Sequence, residues 1–197
     1  MQNKIHPIKI EGNWDIGYAL DIHTVSSQFI GYDEEGKQRF ETERSQLGEL
    51  VYKLKYRFDK SVIPEIIEII LRVAKYKTID VIIPVPPSNI YRSFQPVYEI
   101  AKALGEHLNL PVLSDVVQKS KNTSELKNMA DFEQRSGILS DAFRISSDEA
   151  IKGKTVMLFD DLYRSGSTLT AITRVLYDQG HVQKVKVLTL TKTRSRL

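Results

Sequence analysis

The sequence predicts an α/β protein with a mostly parallel, doubly wound sheet and a small antiparallel β appendage at its amino terminus. Three observations carry that expectation. From Ile79 onward, short apolar runs alternate with helical periodicities, the pattern of strand-helix-strand units whose crossovers make neighbouring strands parallel. One run, residues 79–83, ends in Pro84-Val85-Pro86-Pro87, where prolines cannot continue a central strand. Another, residues 156–159, ends in Asp160-Asp161, a loop of small hydroxyl residues around Gly166, and then a helical pattern. Both ends place turn or acidic chemistry where open α/β sheets bind ligands, outside the carboxyl ends of the strands.

A chain of 197 residues suffices for one domain with a substantial core, or one domain with an appendage. Its 41% hydrophobic and 27% charged residues are those of a globular protein, and a net charge of +3 is too small to imply a nucleic-acid partner. Cysteine is absent, which removes disulfides and thiolate metal sites, and His6, His23, His107 and His181 have no ligand spacing. The amino terminus scatters Lys4, His6 and Lys9 among isolated apolar residues, and no segment approaches the length of a membrane span. A cytoplasmic location is expected, without membrane partners.

Residues 8–25 alternate, with Trp14, Ile16, Tyr18, Leu20 and Ile22 on one face, which is strand-like. Residues 28–32, the turn Asp33-Glu34-Glu35-Gly36 and residues 38–40 continue an antiparallel meander, so residues 1–44 are expected to form the β appendage and 45–197 the α/β domain. From Ser45, the expected cap, Leu47, Leu50, Val51 and Leu54 fall at helical spacing. A second helix, with Ser61 as its expected cap, carries Glu65, Glu68, Arg72 and Lys75 as its only polar stripe and is expected to pack on the sheet. After the proline turn, Tyr91-Arg92-Ser93-Phe94-Gln95 leads into a helix with Val97, Ile100, Ala101, Leu104 and Leu108 on one face. That leaves Arg92 near the ligand end of the sheet.

Val112-Leu113 and residues 142–145 are expected as short strands, and between them residues 118–128 are polar and aperiodic, which predicts a mobile loop. Gly153-Lys154-Thr155 is not the end of a P-loop, because Asp148 stands where a glycine is needed and a strand follows. Leu169, Ile172 and Leu176 mark a helix closed near Gly180, residues 185–190 a last buried strand, and Lys192 to Arg196 a basic tail.

The chemistry is concentrated at residues 156–168. Backbone N–H groups of Ser165, Gly166, Ser167 and Thr168, at the amino end of a helix, can surround a phosphate, with the three hydroxyls as further donors. Asp160 and Asp161 would repel that phosphate on contact, so they are expected one sugar ring away, accepting hydrogen bonds from a ribose diol. An acidic receiver pocket, or a plain strand-turn-helix corner, are the competing readings of the acid pair. Here the chain resembles the type I phosphoribosyltransferases, whose signature is an apolar strand, two acids and a small-residue loop ending Gly-x-Thr. Tyr163 and Arg164 depart from that signature, and Arg164 is either an added phosphate contact or simply exposed.

The stretches LVYKLKYRFDK and IIPVPPSNIYRSFQPVYEIAKALGEHLNLPV, followed by the aspartate motif, resemble the ComF-like branch of that family, without the zinc module that commonly precedes it. The resemblance implies binding of 5-phosphoribosyl 1-pyrophosphate with Mg²⁺ and transfer of its sugar to a nitrogen nucleophile. It makes residues 118–128 a hood over the pyrophosphate, with Val85 and Pro86 in the turn and Lys119, Lys121 and Arg135 as the cations that meet it. Arg92 joins Asp160 and Asp161 as a catalytic candidate. No protein ligand to Mg²⁺ is assigned, and a homodimer is compatible with the sequence. The alternatives are a silent sensor of a phosphoribosyl metabolite, and an accessory protein of nucleic-acid processing that uses the basic tail.

Overall fold

The computed structural model describes residues 5–74, 78–88, 94–120 and 142–194. In chain order these form β1 (Ile8–Lys9), β2 (Ile16–Ile22), β3 (Thr24–Tyr32), β4 (Gln38–Arg44), α1 (Gln46–Tyr56), α2 (Ile63–Val73), β5 (Val81–Pro84), α3 (Pro96–Leu108), β6 (Val117–Lys119), β7 (Phe143–Ile145), β8 (Thr155–Tyr163), α4 (Ser167–Asp178) and β9 (Lys184–Lys192). A five-stranded sheet of order β1-β2-β9-β8-β5 forms the centre. Its four longer strands run parallel, and β1 closes the edge antiparallel to β2.

Parallel strands covered by helices on both sides read as nearly continuous apolar runs, and β5 and β8 do so. Their side chains alternate between two cores. Val81, Ile83, Val156, Leu158, Val185 and Val187 pack against Leu169, Ile172 and Leu176 of α4. Ile82, Met157, Phe159, Leu188 and Leu190 face the other way, onto Leu47 and Leu54 of α1, Ile66 and Ile70 of α2, and Ile100 and Leu104 of α3. The doubly wound arrangement expected from the sequence is the one observed.

Capping fixes where the helices begin. Ser45 accepts from the Gly48 amide at 3.0 Å, as its position before the apolar stripe predicts. Ser61 does not cap α2. Asp59 accepts from the Ser61 amide and opens a short 3-10 turn over Lys60–Val62, and α2 starts one residue later with Pro64 in its first turn, where a missing N–H costs nothing.

Two expectations change in the amino-terminal segment and at the acid pair. The meander predicted over residues 8–40 is split: β1 and β2 belong to the central sheet, β2 lying parallel to β9 in a register from Ile16 opposite Lys186 to Ile22 opposite Lys192. The physical reason is burial on both sides, since Ala19 joins one core and Leu20 the other. Only β3 and β4 remain as a separate antiparallel hairpin. The strand bearing the acid pair also runs further than its apolar residues suggest, because ladder pairing to β9 continues through Asp160 and Leu162 to Tyr163.

Candidate active site

The site lies at the carboxyl ends of β5 and β8. The Val85 amide donates to the Phe159 carbonyl at 2.8 Å, which seats the proline turn beside Asp160. Val85 and Pro86 are buried, the described peptide bonds of the turn are trans, and Lys119 at the end of β6 donates from Nζ to the Pro87 carbonyl at 2.9 Å. These elements surround a recess of about 340 Å³, lined by Lys55, Val85, Pro86, Lys119, Asp160, Asp161, Arg164 and Thr168 among others. A smaller recess of about 160 Å³ adjoins it and is lined by residues 162–169 together with Asp160.

Around the smaller recess the loop has the geometry its sequence calls for. Gly166 caps α4 with a left-handed φ of 78°, and a Cβ there would stand 2.8 Å from the Tyr163 hydroxyl. Only glycine fits that corner without strain. Ser165 and Ser167 hydroxyls lie 2.9 Å apart, and Arg164 and Thr168 are exposed on the rim. The first turn of α4 lines this recess; its Ser167 amide donates to Ser165 Oγ at 3.5 Å, and helix-start amides of this kind suit an anion.

The two carboxylates are in different environments. Asp161 is 6% exposed, and its Oδ2 accepts from Lys55 Nζ at 2.8 Å. Asp160 is held without a salt bridge among the described residues; its Oδ1 accepts from the Asp161 amide at 2.8 Å. Burial, and then the adjacent Asp161 charge, push the Asp160 carboxyl up to about 7, against the opposing pull of that amide, Lys55 and Lys119. Burial likewise pushes the Lys119 ammonium down, with Asp160 working against it.

Because the folded form holds the Asp160 proton more tightly than the unfolded chain does, this group makes stability fall as pH rises between 3.8 and about 7. Asp160→Asn is expected to flatten that part of the profile and to raise the melting temperature above pH 7 relative to the parent chain. Thermal melts of both proteins across pH 4 to 8 measure it.

Lys55 is the residue that sequence reasoning misses. It sits in the last turn of α1, where a cation also suits the helix dipole, and its side chain reaches across to β8. The approach is possible because α1 packs backbone against backbone: a Cβ on Gly48 would lie 2.1 Å from the His23 carbonyl. His23 belongs to the same group. The Thr191 hydroxyl donates to the Asp161 carbonyl at 3.2 Å and meets His23 Nδ1 at 3.1 Å, so the ring nitrogen is the donor of that second bond. Burial, then Arg44, push the His23 imidazolium down, which keeps the ring neutral. The one trace of Lys55 in the sequence is the Lys55-Tyr56 pair; nothing in the helical pattern separates it from Lys53.

Lys55→Met is expected to cost about 1–3 kcal/mol of stability at neutral pH, because it strands a buried carboxylate. Adding Asp161→Asn should recover part of the loss. Denaturant unfolding of the two single variants and the double variant gives the coupling, and a double variant less stable than Lys55→Met would contradict this role.

Of the candidates from the sequence, Asp160, Asp161, Val85, Pro86, Lys119, Arg164 and the loop Ser165, Gly166, Ser167 and Thr168 converge here. Arg92, Lys121 and Arg135 lie outside the described residues, as does most of the segment read as a hood. Lys119 is itself part of β6, paired antiparallel with β7, so the polar stretch starts from an ordered strand. Among the described residues no cluster of three histidine, cysteine or acidic side chains could hold a metal ion.

A mostly parallel α/β sheet whose strands end in an acid pair, a glycine-capped helix start and a recess lined by lysine and arginine has the layout of a ligand site at the carboxyl edge of an open sheet. The chain belongs to the phosphoribosyl transferase domain family, whose model matches residues 60–197. Among solved structures it is similar to the adenine phosphoribosyl transferase of Trypanosoma brucei in complex with AMP, pyrophosphate and ribose-5-phosphate, at 12% identity and TM-score 0.48, covering 95% of this chain and 86% of that one. It is also similar to the adenine phosphoribosyltransferase of Thermoanaerobacter pseudethanolicus, at 16% identity and TM-score 0.46 over 84% and 95% of the two chains. The orotate phosphoribosyltransferase of Aeropyrum pernix gives 15% identity and TM-score 0.46 over 86% and 76%. A search of the curated proteins found no match.

Proposed function

We propose that the chain is a phosphoribosyltransferase that binds 5-phosphoribosyl 1-pyrophosphate with Mg²⁺ and transfers the sugar to a nitrogen acceptor. The observation that supports this reading is that the two recesses share Asp160, one lined by the first turn of α4, which would suit a 5-phosphate, the other by Lys55 and Lys119, which would suit a pyrophosphate. A bound ribose would span them. Asp160 accepts from its diol, Asp161 is held in place by Lys55, and Lys119 and Arg164 face the negative groups. In the reaction the C1–O bond breaks with its electron pair leaving on pyrophosphate, the C1–N bond forms, and the acceptor nitrogen gives up a proton. Mg²⁺ would be held chiefly by donor oxygens, with Asp160 the nearest open carboxylate, and would neutralise charge on the leaving group.

Titration calorimetry with the donor and Mg²⁺, followed by pyrophosphate release with a panel of nucleobases and amines, tests the proposal. Absence of donor binding would remove it. The Lys55–Asp161 ion pair supports a second reading, a sensor that binds the donor without turning it over, since one of the two acids is already engaged. Release of pyrophosphate separates the two. Arg92→Ala is expected to lower turnover by about tenfold or more with a smaller loss of donor affinity, because stabilising a departing group is needed only in the transition state. Equal losses in both would return Arg92 to a binding role. The ComF-like kinship rests on residues 50–60, residues 82–112 and the aspartate motif, and is part of the same proposal.

A further inference from the structure

The β3–β4 hairpin stands apart from both cores. Among the described residues its strands form ladder hydrogen bonds with no other strand, and Phe29, Ile30, Tyr32 and Phe40 are each between 47% and 64% exposed. A lone two-stranded ribbon is marginal in water, so a ribbon this long with aromatic side chains on its surface calls for a partner. Its two edges differ. β3 has an extra residue at two places, Val25 and Ile30, where the register shifts against β4, and such bulges twist an edge away from further pairing. Near its start β3 is also covered by Arg194, which donates to the Val25 carbonyl. β4 takes no bulge over its seven residues and presents a regular edge.

We propose that this edge of β4 pairs antiparallel with β4 of a second copy, about a two-fold axis at Phe40. Opposite residues in a ladder must share a face, so a self-pairing strand can centre on any one residue but on no point between two. Centring on Phe40 sets Arg39 opposite Glu41 of the second copy and Lys37, just before the strand, opposite its Glu43, so all four charges of residues 37–43 meet opposites, while Arg44, which faces Gly36, keeps its Glu49 partner. Centring on Arg39 or Glu41 makes a like pair at the axis; centring on Gln38 sets Lys37 against Arg39, and on Thr42 sets Glu41 against Glu43. Among the described residues neither Arg39 nor Glu41 has an ion-pair partner within the chain. On the opposite face Phe29 and Phe40, with ring centroids 5.7 Å apart, would join those of the second copy in one aromatic row across four strands. The symmetry is the closed, isologous kind that stops at a dimer.

Sedimentation velocity on the full chain should show a dimer. Arg39→Glu and Glu41→Arg alone should each raise its dissociation constant by about tenfold or more, since each sets like charges across the axis. An equimolar mixture of the two should dimerise again, because the acid introduced at position 39 of one copy then meets the base introduced at position 41 of the other, and this recovery excludes misfolding as the cause. The chain has no cysteine. Phe40→Cys should therefore cross-link to itself under mild oxidation, the two Cβ atoms lying within disulfide reach, whereas Thr42→Cys should not. A monomeric parent chain, a dimer unchanged by both charge reversals, or equal cross-linking at positions 40 and 42 would overturn the proposal.

Discussion

Replacing Asp160 and Asp161 together by asparagine is expected to reduce affinity for 5-phosphoribosyl 1-pyrophosphate by about 100-fold or more. Each carboxylate is placed to make or support charge-assisted hydrogen bonds, worth about 1.5–3 kcal/mol apiece, and an amide presents a donor where the sugar already offers one. The loss should fall on the ribose. Inorganic pyrophosphate, which needs only the cations of the larger recess, should bind the double variant at least as well, because the negative charge of the acid pair leaves the site. Calorimetry with both ligands measures the contrast, and an unchanged donor affinity would remove the acid pair from the site.

Gly166→Val should act on the other half of the ligand. A β-branched residue at a φ of 78° carries backbone strain of about 1–3 kcal/mol, and its Cβ would meet Tyr163 atoms at 2.8 to 3.1 Å. The side chain would also stand in front of the first amides of α4. Binding of ribose 5-phosphate is expected to disappear while the fold survives, since the corner is peripheral to both cores. A folded variant that still binds ribose 5-phosphate would show that the phosphate sits elsewhere.

What could be read from the sequence were the features governed by local pattern. The apolar runs ending at Ile83 and Phe159 mark β5 and β8, Ser45 marks the start of α1, and Gly166 in a run of hydroxyl residues marks the turn into α4. What escaped depends on partners distant in the chain. Alternation in β2 is the same whether its neighbour is β1, β3 or β9, so pairing with β9, more than 160 residues on, has no local sign. Lys55 and Asp161 are separated by 106 positions, and a lysine on a helix is usually solvated. The reach of β8 past its apolar residues was hidden for a different reason. Ladder hydrogen bonds are indifferent to side-chain polarity, so acids at a strand end stay in register with β9.

The placement of β2 and Lys55 separates the unit of resemblance from the unit of folding. The family match begins at residue 60, yet the strand that covers the edge of β9 and the cation that steadies Asp161 both come before it. Leu20, Leu47, Leu50, Val51 and Leu54, also upstream, complete the core over Met157, Phe159 and Leu190. A piece excised at residue 60 would bare an unpaired parallel edge and an apolar face together, and would carry the family signature without the means to hold it. Ancestry can be recognised in the last two thirds of this chain; the packing that supports it starts earlier.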